Sequence, residues 1–383
     1  MRRKGSIISA TYAVIDMYIH EHRDWPRFIW SEQAITVPLA AVRHRQGRLI
    51  GRMEALGLNL QAEANLATLT EDVIKSSEIE GETLDKEQVR SSIARRLGLD
   101  IGALSPVDRD VEGVVEMMLD ATQNYVQPLT AERLFGWHAA LFPTGRSGMS
   151  RIVVGAWRDG RSGPMQVVSG PFGRERVHFE APVASRLPDE MAAFLAWFEQ
   201  EHSIDPVLKG AIAHLWFVTV HPFEDGNGRI ARAIADMALA RSEDGPQRFY
   251  SMSAGIRVAR KGYYAILERT QRGDLDITKW ILWFLACLSQ AIDGAERVLV
   301  NVLRKAAFWR VAEPHISNDR QRLMLNRLLE GFEGKLTSSK WAKLTKVSPD
   351  TALRDIVDLI AKGLLTRDHG GGRSTSYSLS TME

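Results

Sequence analysis

The chain has 383 residues, 45% hydrophobic and 25% charged, the balance of an ordinary globular protein and not of a disordered one. A formal net charge of +2 gives no bulk attraction to a polyanion, and a single cysteine, Cys287, excludes an internal disulfide and fits a reducing compartment. The length supports two or three domains, each able to bury a core.

No stretch reaches the ~20 apolar residues of a membrane span. The opening MRRKGSIISATYAVIDMYIH imitates a leader, but Asp16 interrupts its apolar run and no small-residue cleavage site follows. The chain is therefore expected to be cytoplasmic. Apolar residues recur at helical spacing over 33–64. The stretch SSEIEGE follows at 76–82. On a helix Ser76 and Glu80 share a face, and Gly81 would end or bend it. By itself this fits a solvated helix end.

Residues 107–126 and 130–142 carry the helical period again, with Thr130 as an N-cap. Residues 152–182 break it. IVVGAW, MQVVSG, a turn at Pro171 to Gly173 and RVHFEAP predict a β-hairpin. A helix over 187–201 follows. Asp205-Pro206 then opens a helix through VLKGAIAHLWFVTV, apolar nearly all round and so expected at the centre. After HPFEDGNGR, IARAIADMALARSE is a second helix, ending before Gly245-Pro246. Cys287 lies in the apolar run WILWFLACL and reads as a buried thiol. Beyond about 293, RQRLMLNRLLEGF is amphipathic. Helix, turn, helix and a glycine-rich tip between extended runs then give a winged-helix pattern. The fold class is mainly α.

Chemistry concentrates in HPFEDGNGRIAR, 221–232. A loop enters a helix through Gly226-Asn227-Gly228, where free N–H groups and absent side chains make an anion nest. Arg229 and Arg232 project from one face of the first turn, and two guanidiniums at a nest suit a polyphosphate. Asp225 can hold Mg2+ together with substrate phosphates, and His221 can serve as a general base. Base, metal ligand, nest and charge clamp form the kit for phosphoryl-type transfer. The bland alternative is a structural histidine before a proline, with Arg232 and Asp236 as an i, i+4 surface pair.

This stretch resembles the signature of Fic-domain proteins, HPFx[DE]GNGRxxR, at every fixed position. The resemblance implies a protein adenylyltransferase, moving AMP from ATP to a Ser, Thr or Tyr hydroxyl. It assigns His221 to deprotonating that hydroxyl and Asp225 to Mg2+. It assigns Asn227 and the backbone at Gly226 and Gly228 to the α- and β-phosphates. Arg229 supports the β-phosphate and Arg232 the γ-phosphate, and Phe223 anchors the loop. Glycine at 228, where phosphorylating relatives carry lysine, favours nucleotidyl transfer over kinase chemistry. Phosphocholine transfer is a rarer family variant.

SSEIEGE is similar to the family's inhibitory pattern [ST]xxxE[GN], read here as Ser76, Glu80 and Gly81. The resemblance implies that Glu80 pairs with Arg232 where the γ-phosphate would sit. The same glutamate, in some relatives, positions a water that removes AMP. Residues 165–180 resemble the family's flap, whose strand edge holds the target; a purely structural hairpin is the other reading. Tyr263, Tyr264 and Gln271 resemble the adenine side, although a Tyr-Tyr pair at helical spacing serves a core equally well. Expected partners are ATP, an unidentified protein target, the chain itself as a modified protein, a second copy in a homodimer, and no membrane.

The whole organisation is then a Fic helical core with a β-hairpin flap, an N-terminal helical domain and a C-terminal winged helix. Residues 1–16 are an extension, with Met17 as a candidate start. Residues 17–100 form the N-terminal domain, with the inhibitory helix near 66–81. Residues 101–292 are the Fic domain, 293–315 a linker helix and 316–383 the winged helix. DNA binding through that domain would use Arg354, Lys362, Arg367 and Arg373, against Asp350, Asp355 and Asp358. A DNA-binding regulator or scaffold with a weakly active core is the rival function, and dimerisation or target docking the rival use of the winged helix.

Overall fold

Local signals set the helix boundaries. In the computed structural model, which describes residues 17–101, 104–161, 163–170, 174–329, 331–332, 334–368 and 375–380, the Ser31 side chain accepts the Ala34 N–H and opens α1 (Glu32–Glu54). α2 (Leu58–Glu80) ends at Gly81, whose φ of +89° suits a residue without a Cβ. Asp85 caps α3 (Lys86–Leu97). α4 (Arg109–Gln123) precedes α5 (Ala131–Leu141), which Thr130 caps as expected. Two short hairpins follow, β1 (Arg146–Ser147) with β2 (Ser150–Arg151) and β3 (Gln166–Ser169) with β4 (Arg176–Glu180). Next come α6 (Leu187–Gln200), α7 (Pro206–Val220) capped by Asp205, and α8 (Asn227–Glu243). α9 (Met252–Val258), α10 (Arg260–Gln271) and α11 (Thr278–Ala312) complete the first core. α12 (Asp319–Leu329), α13 (Ser338–Thr345), α14 (Pro349–Ala361), β5 (Leu365–Arg367) and β6 (Tyr377–Leu379) form the second.

α7 is the hub. Its side chains from Val207 through Val220 are almost all buried, which is why its sequence is apolar on every face. It packs along α8, and Trp280 of α11 donates its indole N–H to the Ala211 carbonyl at 2.8 Å. α2 lies against α8, α9 and α11, which places its last turn beside the start of α8.

Three expectations change. The helical run 33–64 is two helices, because Gly57 is extended (φ −64°, ψ 152°) and restarts the chain as α2. The segment IVVGAW forms no strand beyond Arg151. Donors here serve the loop after α7 instead: Val153 N–H reaches the Glu224 carboxylate at 2.8 Å and, just past the segment, Arg158 N–H the Pro222 carbonyl at 2.9 Å. The hairpin is therefore only β3–β4, with an irregularity between Val167 and Val168. The linker helix is not separate. α11 is one 35-residue helix through position 292, buried along Ile292, Ala295, Leu299 and Val302 and ending at Phe308 and Ala312 in the second core. Residues 1–16, the turn at 171–173 and most of the wing tip, including Arg373, lie outside the described residues.

α4 and α5 meet at Gly113, where a Cβ would fall 1.8 Å from the Ala140 carbonyl oxygen. Gly113→Ala should therefore destabilise the fold by about 3 kcal/mol, read by urea unfolding, since backbone must move to admit the methyl.

Candidate active site

α7 stops at His221, which adopts a left-handed conformation (φ +51°, ψ +58°) before Pro222. Phe223 then drives the loop inward. It is fully buried and stacks on His138 with ring centres 4.2 Å apart. The Asn227 side chain closes the loop, accepting Phe223 N–H at 3.0 Å and donating to the Phe223 carbonyl at 2.8 Å. Gly226 sits at φ +79° as the N-cap of α8, and a Cβ there would meet the Phe142 ring at 2.9 Å. Fixed phenyl and amide contacts thus aim the first turn of α8, with its unpaired N–H groups, at one spot.

His221 Nδ1–H donates to the Val218 carbonyl at 3.1 Å, which leaves Nε2 as the acceptor. Burial pulls the imidazole down to about 4, with the charge of Arg158 adding; the Val218 bond, Asp225 and Glu80 oppose it. The ring is neutral at physiological pH, as a base requires. Asp225 accepts a hydrogen bond from the Ser147 hydroxyl and the Gly226 N–H at 2.6 Å.

Both arginines point to the same spot and both are held by the end of α2. Arg232, 1% exposed, donates to Ser76 Oγ at 2.9 Å, the Ser76 carbonyl at 3.0 Å and Glu80 Oε1 at 2.8 Å. Burial penalises its charge, but Glu80, together with Tyr263 and Tyr264, raises its pKa on balance. Asp236 is not its partner: it pairs with Arg248 at 2.9 Å, both buried. Arg229 donates to Glu82 at 2.7 Å and lies over the Phe142 ring. Gly228 leaves room for the carboxylate, since a Cβ there would fall 2.3 Å from Glu80 Oε1. Arg229 Nε and Arg232 Nη1 are buried without a hydrogen-bond partner among the described residues. The site thus presents more donors than the two carboxylates satisfy.

The expected adenine-side residues divide. Tyr263 is buried, its hydroxyl 2.8 Å from His214 Nε2, in an aromatic cluster with Trp280 and Trp283. Tyr264 is 40% exposed and donates to the Ile79 carbonyl of α2 at 3.3 Å. Gln271 is buried under the α7 terminus, donating to Thr219 Oγ1 at 3.3 Å.

Sequence reasoning missed Arg158, Glu82, His138 and Ser147. Arg158 is buried and spends its guanidinium on carbonyls, His221 at 2.7 Å and Pro182 at 2.6 Å, so it ties the 221–227 loop to the base of β4. Burial lowers its pKa to about 10. A cation that binds only backbone leaves no sequence signature. Glu82 had one, a second carboxylate just past Gly81.

Residues 128–239 match the Fic/DOC family model, 18–99 a domain of unknown function (DUF4172) and 320–377 a DeoR-like helix-turn-helix domain. The chain is 26% identical over 220 residues to a protein adenylyltransferase Fic of Drosophila mojavensis, covering 56% of this chain and 39% of that protein. It is 36% identical over 89 residues to a protein adenylyltransferase of Caenorhabditis briggsae, covering 23% and 16%. The chain spans about two fifths of the length of the Drosophila relatives. Its fold is shared with a Fic family protein from Desulfovibrio desulfuricans G20, at 22% identity and a TM-score of 0.51 over 93% of this chain and 98% of that one. A Fic domain containing signaling protein from Bacteroides thetaiotaomicron gives the same identity and score over 70% and 96%. The protein carries a Fic/DOC-family domain, in a mainly helical chain with a C-terminal helix-turn-helix domain. No described helix is long and apolar enough to cross a membrane.

An NMR titration of His221 should give a pKa near 4, with the ring neutral and protonated on Nδ1 from pH 6 to 8. Loss of the Val218 bond would show as the opposite tautomer.

Proposed function

We propose that the chain is a protein adenylyltransferase held in a resting state by its own α2. The observation that carries this is the convergence of His221, the start of α8 and two buried arginines that grip carboxylates in place of a ligand. ATP would place its phosphates on the nest formed at Gly226, Asn227 and Gly228, its β- and γ-phosphates on Arg229 and Arg232, and its base towards Tyr263, Tyr264 and Gln271. The acceptor hydroxyl gives its proton to His221 Nε2 as its oxygen bonds the α-phosphorus. The bond from that phosphorus to the bridging oxygen breaks and pyrophosphate leaves.

Asp225 offers one carboxylate at the loop, and no group of three or more metal-binding side chains occurs among the described residues. That donor set fits Mg2+ bound mainly through substrate phosphates. The ion would supply charge neutralisation on the phosphates; the chain's own part is to hold Asp225 with Ser147 and Gly226.

The 165–180 hairpin would hold the target. Arg272 occupies the His178 and Val177 carbonyls of β4, and Glu268 binds Arg176 and His178, so β4 is fastened to α10. β3 is largely exposed and offers the edge for an added strand. Glu80, 2.8 Å from Arg232, keeps the γ-phosphate from its place by occupying that arginine. The match of 320–377 to a helix-turn-helix domain favours a second reading, DNA binding by the winged helix, which a gel shift would show.

With labelled ATP and Mg2+, Glu80→Gly should label itself or lysate proteins at least about tenfold more than wild type, as a latch worth about 1.4 kcal/mol gives. Glu80→Gly/His221→Ala should label nothing. Equal labelling by wild type and Glu80→Gly would remove the inhibition, and no labelling by any variant would remove the transfer.

A further inference from the structure

Glu80 explains one arginine, not two. α2 ends in a tight cap, with Gly81 N–H on the Glu78 carbonyl at 3.2 Å and Glu82 N–H on the Ser77 carbonyl at 3.0 Å. This backbone lock fixes Glu82 two residues past Glu80, so one rigid helix end presents both carboxylates. Across from it, Arg229 and Arg232 stand three apart on the first turn of α8. The pairs form in order: Glu80 with Arg232 at 2.8 Å, Glu82 with Arg229 at 2.7 Å. Arg229 is 4% exposed and Glu82 48%, so the arginine is built in and the carboxylate is the removable partner. The unpartnered buried Nε of Arg229 shows that this arginine is under-satisfied with Glu82 in place.

We propose that Glu82 is a specificity-determining residue that, through Arg229, sets how many phosphates the resting site accepts. The inference rests on reading 221–232 as the nucleotide site. With both latches closed, a nucleoside monophosphate meets no competing carboxylate on either arginine. Each further phosphate must displace one. A diphosphate competes with Glu82, and a triphosphate with Glu82 and Glu80. Control of the nucleotide is thereby graded.

The test is calorimetric titration of the full chain with AMP, ADP and ATP in Mg2+. Variants are Glu82→Gln, Glu80→Gly, the double variant, and Glu78→Gln as a control. Glu78 lies on the same helix but pairs with Lys75 and Arg257. Glu82→Gln, nearly isosteric, should tighten ADP roughly three- to tenfold, the size of a half-exposed ion pair, and leave AMP unchanged. Glu80→Gly should leave ADP unchanged and tighten ATP, and the double variant should bind ATP tightest. ADP affinity unmoved by Glu82→Gln, or moved as much by Glu78→Gln, would overturn the second latch while the nucleotide site stands. No nucleotide bound by any variant would overturn the site and the latch together.

Discussion

Arg232 is a buried cation, and most of the candidate site follows from what that requires. A guanidinium 1% exposed must find acceptors inside the protein, or its desolvation goes uncompensated. Ser76 and Glu80 of α2 supply three acceptor contacts. The same contact therefore holds α2 against α8 and keeps a carboxylate at the nest. On the proposed reading, inhibition would be a packing interaction and would not be detachable from the fold. Parting the pair without leaving a buried charge bare would need another anion on the arginine, and a polyphosphate has the charge and the oxygen count to serve.

The loop opposite has to stay rigid for such competition to be sharp. It is rigid for three separate reasons. Phe223 is clamped between His138 and Trp157, Asn227 bridges Phe223 N–H and carbonyl, and Arg158 draws the His221 and Pro182 carbonyls together. These restraints also hold His221 in its left-handed conformation, which costs about 1 kcal/mol or more for a residue with a Cβ. The strain places the ring with one nitrogen on Val218 and the other free. Without Arg158 and Asn227 the backbone would have no reason to stay there.

The legible parts of the sequence were the local ones. Asp205-Pro206, Thr130 and Gly81 mark helix ends through contacts within four residues, and the structure uses each as expected. The 221–232 stretch is legible because a nest, a charge pair and an anchor all fit in twelve consecutive positions. The bond from Glu80 to Arg232 spans 152 residues; spacing could put Ser76 and Glu80 on one face, but only resemblance supplied their partner. Glu82 and Arg158 were missed for different reasons. Glu82 needs the partner's geometry before its spacing means anything. Arg158 binds carbonyls, which every residue has. IVVGAW misled because β-branched composition registers a preference for extended backbone, not which neighbour will take its hydrogen bonds.

The winged helix shows the same limit in its electrostatics. Counted along the chain, Asp355 and Asp358 weigh against a DNA-facing α14. In the fold both are paired. Asp355 is buried and accepts from Arg320 at 2.8 and 3.0 Å, and Asp358 pairs with Lys362 and accepts from Gln321. Asp355 is thus neutralised by α12 and Asp358 is paired at the helix end, although Asp358 is still 39% exposed and Asp350 stays exposed at the start of α14. The exposed side of α14 shows Leu353 and Val357, 43% and 55% exposed, with Arg354 beside them. The charge objection to nucleic acid weakens, while the apolar pair brings a new one, because aliphatic side chains at i and i+4 gain more from burial against protein than from phosphate. Charge summed over a sequence overstates the repulsion by each acid that a helix turns inward, as α14 does with Asp355.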